Sequence, residues 1–435
     1  MSPFTLIDWA SLDAPARMAA LARPRQRTSD DLRARVRTIF DDAEARGDAA
    51  IIEWAQRIDG FAPRYFPVTT EAVARARDGL DPADVEALEM AARNIRSFHE
   101  ATAPAREMLV QTQPGLELIR RNRPIGCAGL YVPAGTAPLF SSLLMLAIPA
   151  RIAGVRERVA ACPPGPLGEP HPMMVLAADF SGLEGLWLIG GAQAIAAMTF
   201  GLYGMTRADK LFGPGNAWVA EAKRLATSLP GGPGIDLPAG PSELMVIADD
   251  SADPEVVAAD LLSQAEHDPS AQVLLVTPSE ALIARVAEAL ERQSASLPRH
   301  EVVTRALTAA RAALVRDTNE ALDVANLHAP EHLSIQTEDA DALAGRVERA
   351  GTVFVGASMA ETFGDYLTGS NHVLPTDGAA RAWSGVSVSS FMITSTLQKV
   401  SREGARALAG PAARLARLEG LEAHARAADI RAGVS

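Results

Sequence analysis

Apolar residues recur through the first hundred positions at helical spacing. After a cap at Ser29 or Asp30, Leu32, Val36, Ile39, Phe40 and Ala43 form one stripe. Gly47-Asp48 breaks it, and a second helix carries Ile51, Ile52, Trp54 and Ala55. Asp81-Pro82 opens a third, with Val85, Leu88, Ala92, Ile95 and Phe98 in register. Residues 108–119 read as a hairpin around Pro114-Gly115. From Ala128 the pattern changes to short apolar runs alternating with helical ones. Strands are predicted at 129–132, 158–162, 185–189, 244–248, 272–276, 313–316 and 352–355. Helices are predicted at 142–153, 173–180, 193–200, 216–225, 254–267 and 281–291. Such alternation builds βαβ units and mainly parallel sheets.

The fold class expected is therefore α/β, with two Rossmann-like domains separated by the Gly/Pro-rich stretch 230–240. Residues 1–28 read as an N-terminal arm. The first domain combines a helical part, 29–130, with 241–385, and the second spans 131–240. A C-terminal arm, 386–435, is read as helical, with a break at Ala409-Gly410-Pro411 and apolar Leu415, Leu418 and Leu421 beyond it.

Composition narrows the function. The 435 residues are 48% hydrophobic and 22% charged, enough for two or three domains. A net charge of −12 without a basic stripe argues against a nucleic-acid partner. Cys127 and Cys162 are the only cysteines and suit a reducing compartment. The N-terminus lacks a signal-peptide apolar run, and the stretch 141–150 is broken by Pro149 and followed by Arg151. A cytoplasmic protein with no membrane partner is expected.

Candidate chemistry begins with Gln264-Ala265-Glu266-His267. Asp253 caps its helix, Pro254 fits the first turn and Pro269 ends it. Gln264 and His267 share a face, and an imidazole and an amide oxygen could both ligate zinc. Two ligands do not make a site. Glu331-His332, in NLHAPEHL, could move protons, although such a pair by itself reads as solvated. Asp365 and His372 lie in a glycine-flanked loop, where Asp365 alone would read as a turn cap. Glu419 and His424 read as part of an acidic amphipathic helix, and Ser242 as a turn or cap serine. No G-x-G-x-x-G is present. The turns Gly190-Gly191-Ala192-Gln193 and Gly213-Pro214-Gly215-Asn216 precede helices, whose N-termini can hold phosphate but are generic. A thiohemiacetal route through a cysteine is rejected, because neither thiol has a local base and both fall on strands. His99, His171, His300 and His328 carry no assigned role.

The strings IDLPAGPSELMVIAD…DLLSQAEH, PEHL, GDYLTGSNHVLPT, EGLEAH, YVPAGTA, GGAQAIAAM and GPGN together resemble the histidinol dehydrogenase family, over about 35–431. The resemblance implies a zinc site of Gln264, His267, Asp365 and His424. A mixed nitrogen and oxygen set suits zinc, with manganese or cobalt as substitutes. It implies His332 as the base for the substrate hydroxyl and Glu331 as the group that activates water. Ser242, His372 and Glu419 would contact substrate with the metal ligands and the Glu-His pair. Tyr131, Gln193 and Asn216 would contact NAD; Ala134 departs from the glycine usual there. The implied activity is NAD-dependent four-electron oxidation of L-histidinol to L-histidine through histidinal. The implied assembly is a homodimer whose exchanged C-terminal arms bring Glu419 and His424 to the neighbouring site. Two other readings are a zinc- and NAD-dependent dehydrogenase of the same family acting on another small polar alcohol, and a non-catalytic zinc-binding scaffold.

Overall fold

The computed structural model describes residues 3–23, 29–133, 138–238 and 240–433. Two six-stranded sheets dominate it. In the first, the strands run in the order Thr5–Asp8, Arg311–Leu314, Gln272–Thr277, Glu243–Ala248, His332–Gln336 and Thr352–Val355, all parallel. In the second the order is Arg64–Pro67, Gly185–Leu188, Glu157–Cys162, Cys127–Tyr131, Lys210–Phe212 and Gly234–Ile235, and only Arg64–Pro67 is antiparallel. A separate antiparallel sheet joins Glu107–Gln113, Leu116–Pro124 and Met392–Val400.

The central strands are buried at every position, as parallel strands covered on both faces must be. On the first sheet, Val257, Leu261, Leu282, Val286 and Leu290 cover one face. Trp9, Leu322 and Val324 cover the other. On the second, Leu143, Leu146, Leu176 and Ile95 pack on one side, with Val36, Phe40, Ile51, Ile195 and Val219 opposite.

Five expectations need correction. The helical part of 29–130 covers the second sheet rather than belonging with 241–385, because its stripes around Val36, Phe40 and Ile95 fill that sheet's two cores. The expected boundary at 130/131 also falls inside strand Cys127–Tyr131. Within the expected N-terminal arm, Thr5–Asp8 pairs with Arg311–Leu314 as an edge strand, tied in by buried Ile7 and Trp9. The C-terminal arm contains the strand Met392–Val400. Its helix Arg402–Leu418 runs through Pro411, where Ala409 and Ala413 are both buried. The chain turns instead at Gly420, with φ +78°. Among the described residues no helix is long and apolar enough to cross a membrane.

A cleft lies between opposite edges of the two sheets. Glu243 and His332 begin first-sheet strands, so that sheet presents its amino edge. Pro133 and Gly213 follow second-sheet strands, so that sheet presents its carboxyl edge. There the strand order reverses between Cys127–Tyr131 and Lys210–Phe212, a topological switch point. Gly213 has φ +118°, and a Cβ on it would lie 1.9 Å from the Tyr131 carbonyl oxygen. Gly213→Ala is therefore expected to lose about 2–3 kcal/mol or more through backbone strain and the clash, read as a lower denaturation midpoint against Gly410→Ala, where a Cβ meets nothing within 4 Å.

Candidate active site

Strand pairing builds the first wall of the cleft. Helix Thr318–His328 ends at Ala329, whose φ of +54° turns the chain through Pro330 into strand His332–Gln336. That strand pairs with Glu243–Ala248, setting Glu331 and His332 beside Glu243. The Glu243 N–H donates to Glu331 Oε2 at 2.9 Å. The Glu243 carbonyl lies 3.2 Å from His332 Nδ1. A carbonyl only accepts, so Nδ1 carries the proton and Nε2 is left with its lone pair. That Nε2 is buried without a hydrogen-bond partner, 3.8 Å from Asp365 Oδ1. The Phe354 ring lies parallel to the imidazole, with centroids 5.9 Å apart.

Asp365 sits on the short helix Glu361–Tyr366 and joins three histidines. Its Oδ2 lies 3.9 Å from His267 Nε2, and its backbone carbonyl accepts from His372 Nδ1 at 2.8 Å. The other nitrogen of His372 lies within hydrogen-bond distance of the Ser142 hydroxyl, at 3.1 Å. Helix Pro254–Ala265 ends two residues before His267, and Gln264 lies in its last turn. Both residues still line the cleft. The Gln264 amide is wholly buried, and neither its nitrogen nor its oxygen has a hydrogen-bond partner.

Burial sets the protonation states. It pulls His332 down to about 4, against the opposing charge of Asp365, so the imidazole is neutral at pH 7. It drives Glu331 well above the usual carboxylate range, and Glu243 and Asp365 add to the rise. Glu361 is also pushed up by burial and by Asp365 and Glu331, with its Oε1 3.4 Å from His332 Nδ1.

The second wall is held by a buried ion pair. Lys223 and Asp236 bond each other beneath the 213–216 turn. Lys223 also donates to the Gly213 carbonyl at 2.9 Å, and Asp236 accepts from the Gly213 N–H at 2.7 Å. Asn216 caps helix Ala217–Ser228, with its Oδ1 accepting from the Trp218 and Val219 N–H groups. It lines the cleft. Tyr131 and Gln193 do not. They lie buried beside the Gly190-Gly191 turn. The Tyr131 hydroxyl accepts from Gly191 N–H, and Gln193 Nε2 donates to Asp59. Ala134 and its loop lie outside the described residues.

The cleft is about 530 Å³, in the range of small-ligand sites. It gathers Ser242, Gln264, His267, Glu331, His332, Asp365, His372 and Asn216. It does not gather Glu419 or His424, which are exposed on the C-terminal helices. Among the described residues no three His, Cys, Asp or Glu side chains form a metal-binding group. Glu361, Glu243, Ser142 and Phe354 escaped the sequence reading. The one available signal was Glu243, a lone charge opening the apolar run ELMVIA. Burial pushes both thiols up to about 12, which agrees with inert core cysteines. His99 and His300 bond backbone carbonyls, and His171 caps a helix.

Comparison with known proteins gives concordant matches. The histidinol dehydrogenase family profile matches residues 21–432. The histidinol dehydrogenase of Xanthomonas campestris pv. campestris (strain 8004) is 46% identical over 429 residues, covering 99% of both chains. That of Shigella dysenteriae serotype 1 is 43% identical, covering 99% of this chain and 98% of its own. The crystal structure of histidinol dehydrogenase from Elizabethkingia anophelis superposes with a TM-score of 0.93 at 37% identity, covering 99% of this chain and 98% of that one.

The helix carrying Gln264 also yields a pH prediction. Burial raises Asp260 from 3.8 to about 6, although Gln336 Nε2 donates to it at 2.8 Å. The folded chain therefore binds this proton more tightly than the unfolded one. Stability from this group is full below pH 3.8 and lost as pH rises through about 6. The loss is on the order of 3 kcal/mol. Asp260→Asn keeps an acceptor for Gln336 and removes the titration. Its melting temperature relative to the parent is expected to rise between pH 4 and pH 7, measured by calorimetry.

Proposed function

This chain belongs to the histidinol dehydrogenase family and is an enzyme of histidine biosynthesis; on that premise we propose that its cleft oxidises L-histidinol to L-histidine through histidinal, using NAD and one zinc ion per subunit. The observation that carries the reading is the meeting of a neutral His332, a buried Glu331 and the Asp365–His267 pair, opposite a topological switch point. In α/β sheets that switch point is where nucleotides bind.

The residues fit zinc. Gln264, whose amide has no hydrogen-bond partner, lines the same cleft as an imidazole and a carboxylate 3.9 Å apart. Amide oxygen, imidazole nitrogen and carboxylate are donors that zinc accepts. The fourth ligand of this reading, His424, would come from a partner subunit, and Glu419 with it. Leu418 and Ile430 on the same helices are 77% and 70% exposed, apolar surface that a dimer would cover. When bound, zinc would position the substrate and NAD would supply a hydride acceptor for each half of the reaction.

The protein's own groups supply the proton chemistry. In the first half, His332 Nε2 takes the hydroxyl proton, and the Asp365 carboxylate 3.8 Å away favours the resulting imidazolium. The Glu243 carbonyl, bound to Nδ1, keeps the accepting nitrogen turned toward substrate. In the second half, Glu331 removes a proton from water as it adds to the aldehyde. Burial favours the protonated acid, so Glu331 serves as the base only after giving up its own proton, and a buried carboxylate is then the stronger base. Each half removes two electrons as one hydride, so one histidinol reduces two NAD. His372, steadied by Ser142 and Asp365, faces the same space as a substrate contact.

The test is NADH formation from L-histidinol by the zinc-loaded protein, with two NADH expected per histidine formed. A flat trace would overturn the reading. Glu331→Gln is expected to slow oxidation of supplied histidinal about 10²-fold or more, and His332→Ala to slow oxidation of histidinol by a similar factor. Chelation should abolish turnover, and added zinc should restore it.

A further inference from the structure

The Glu331–His332 pair is oriented by the backbone of one residue, Glu243, whose N–H holds Glu331 and whose carbonyl holds His332. What holds Glu243 comes from far away in the chain. Arg23 Nε and Nη2 donate to the two Glu243 carboxylate oxygens at 2.6 and 2.7 Å, a two-point fork. Both side chains are largely buried, with Arg23 11% and Glu243 2% exposed. Arg23 Nη2 also donates to the His328 carbonyl at 3.0 Å. That carbonyl ends helix Thr318–His328, three residues before Glu331. One guanidinium thus bridges the two segments that lead into the paired strands, Glu243 on one and 328–332 on the other.

The surroundings are shaped for this bridge. Gly378 has φ +71°, and a Cβ there would lie 2.8 Å from Arg23 Nη1, so only a glycine leaves room for the guanidinium. His328 Nε2 lies 3.7 Å from the Glu243 carboxylate, but burial and the nearby Arg23, Arg311 and Arg381 keep that ring neutral. Arg311 is turned to the Ala20 and Ala22 carbonyls. Arg381 is turned to the Leu327 and His328 carbonyls. Among the described ion pairs, Arg23 is the cation that meets the Glu243 carboxylate.

We propose that Arg23 is a positioning residue for the reaction: its fork on Glu243 and its bond to the His328 carbonyl set the separation and aim of Glu331 and His332. The inference rests on the reading of those two residues as the working pair. Lysine could neutralise Glu243 but cannot make the fork and reach the 328 carbonyl together. A loosened bridge moves both groups by a fraction of an ångström, while the other residues that line the cleft keep their places. The cost then falls on kcat and not on KM.

The experiment compares the zinc-loaded parent with Arg23→Lys and Arg23→Ala, measuring kcat, both KM values and thermal unfolding. Arg23→Lys is expected to stay folded while kcat falls about 10-fold to 10²-fold and KM for histidinol and NAD stays within about twofold. Arg23→Ala leaves a buried carboxylate unpaired and loses stability as well. Where it folds, millimolar guanidinium is expected to restore part of its kcat, which a purely structural loss would not allow. Parent-like kcat in folded Arg23→Lys, or a loss confined to KM, would overturn the proposal. A parent protein that makes no NADH would overturn the parent reading and this one with it, whereas an active parent with an unaffected Lys variant removes only this one.

Discussion

The site depends on the parallel pairing of strand Glu243–Ala248 with His332–Gln336. Because both strands start at the same edge, the peptide groups of Glu243 are left at the end of the ladder. There its N–H bonds the Glu331 carboxylate and its carbonyl meets the His332 ring. A backbone amide has no rotamers and sits in a buried sheet, so it is a rigid anchor. The imidazole tautomer follows directly, since a carbonyl can only accept.

That anchor places Glu331 and His332 at the amino edge of a parallel sheet, the opposite edge from the usual α/β ligand crevice. The second sheet behaves in the ordinary way, opening a crevice at its carboxyl edge where strand order reverses. Setting the two edges face to face divides the labour. One wall gathers histidines, carboxylates and a bare amide; the other offers a glycine turn and helix N-termini. Gly213 lets that turn approach Tyr131 more closely than a Cβ would permit, and Lys223 with Asp236 holds it from beneath.

Burial then does the electrostatic work. His332 is kept neutral, and Glu331 and Glu361 are raised, by removal from water more than by any one neighbour. Their raised or lowered affinities are stable only because the surrounding bonds are already made: Ser263 on Glu361, the Glu243 peptide on its two partners, and Arg23 on the Glu243 carboxylate. A charged cluster at the end of a sheet would otherwise be solvated and unshifted.

Much of the architecture was legible along the chain. Helix caps at Ser29, Asp81 and Asp253 fall as predicted, because a cap is decided by one side chain and the next few amides. The alternation of strands and helices after Ala128 was legible for the same reason, being a local pattern of burial. The motif strings located Glu331, His332, Asp365 and His267, which the fold brings into one cleft. Local pattern could not say which sheet the first helices cover, nor that Thr5–Asp8 closes an edge over 300 residues away, since stripe and partner are separate in sequence. Nor could it find Arg23, Ser142 or Glu361. Each matters only through a contact with a distant segment, and contact at long range is set by packing rather than by the identity of neighbours along the chain.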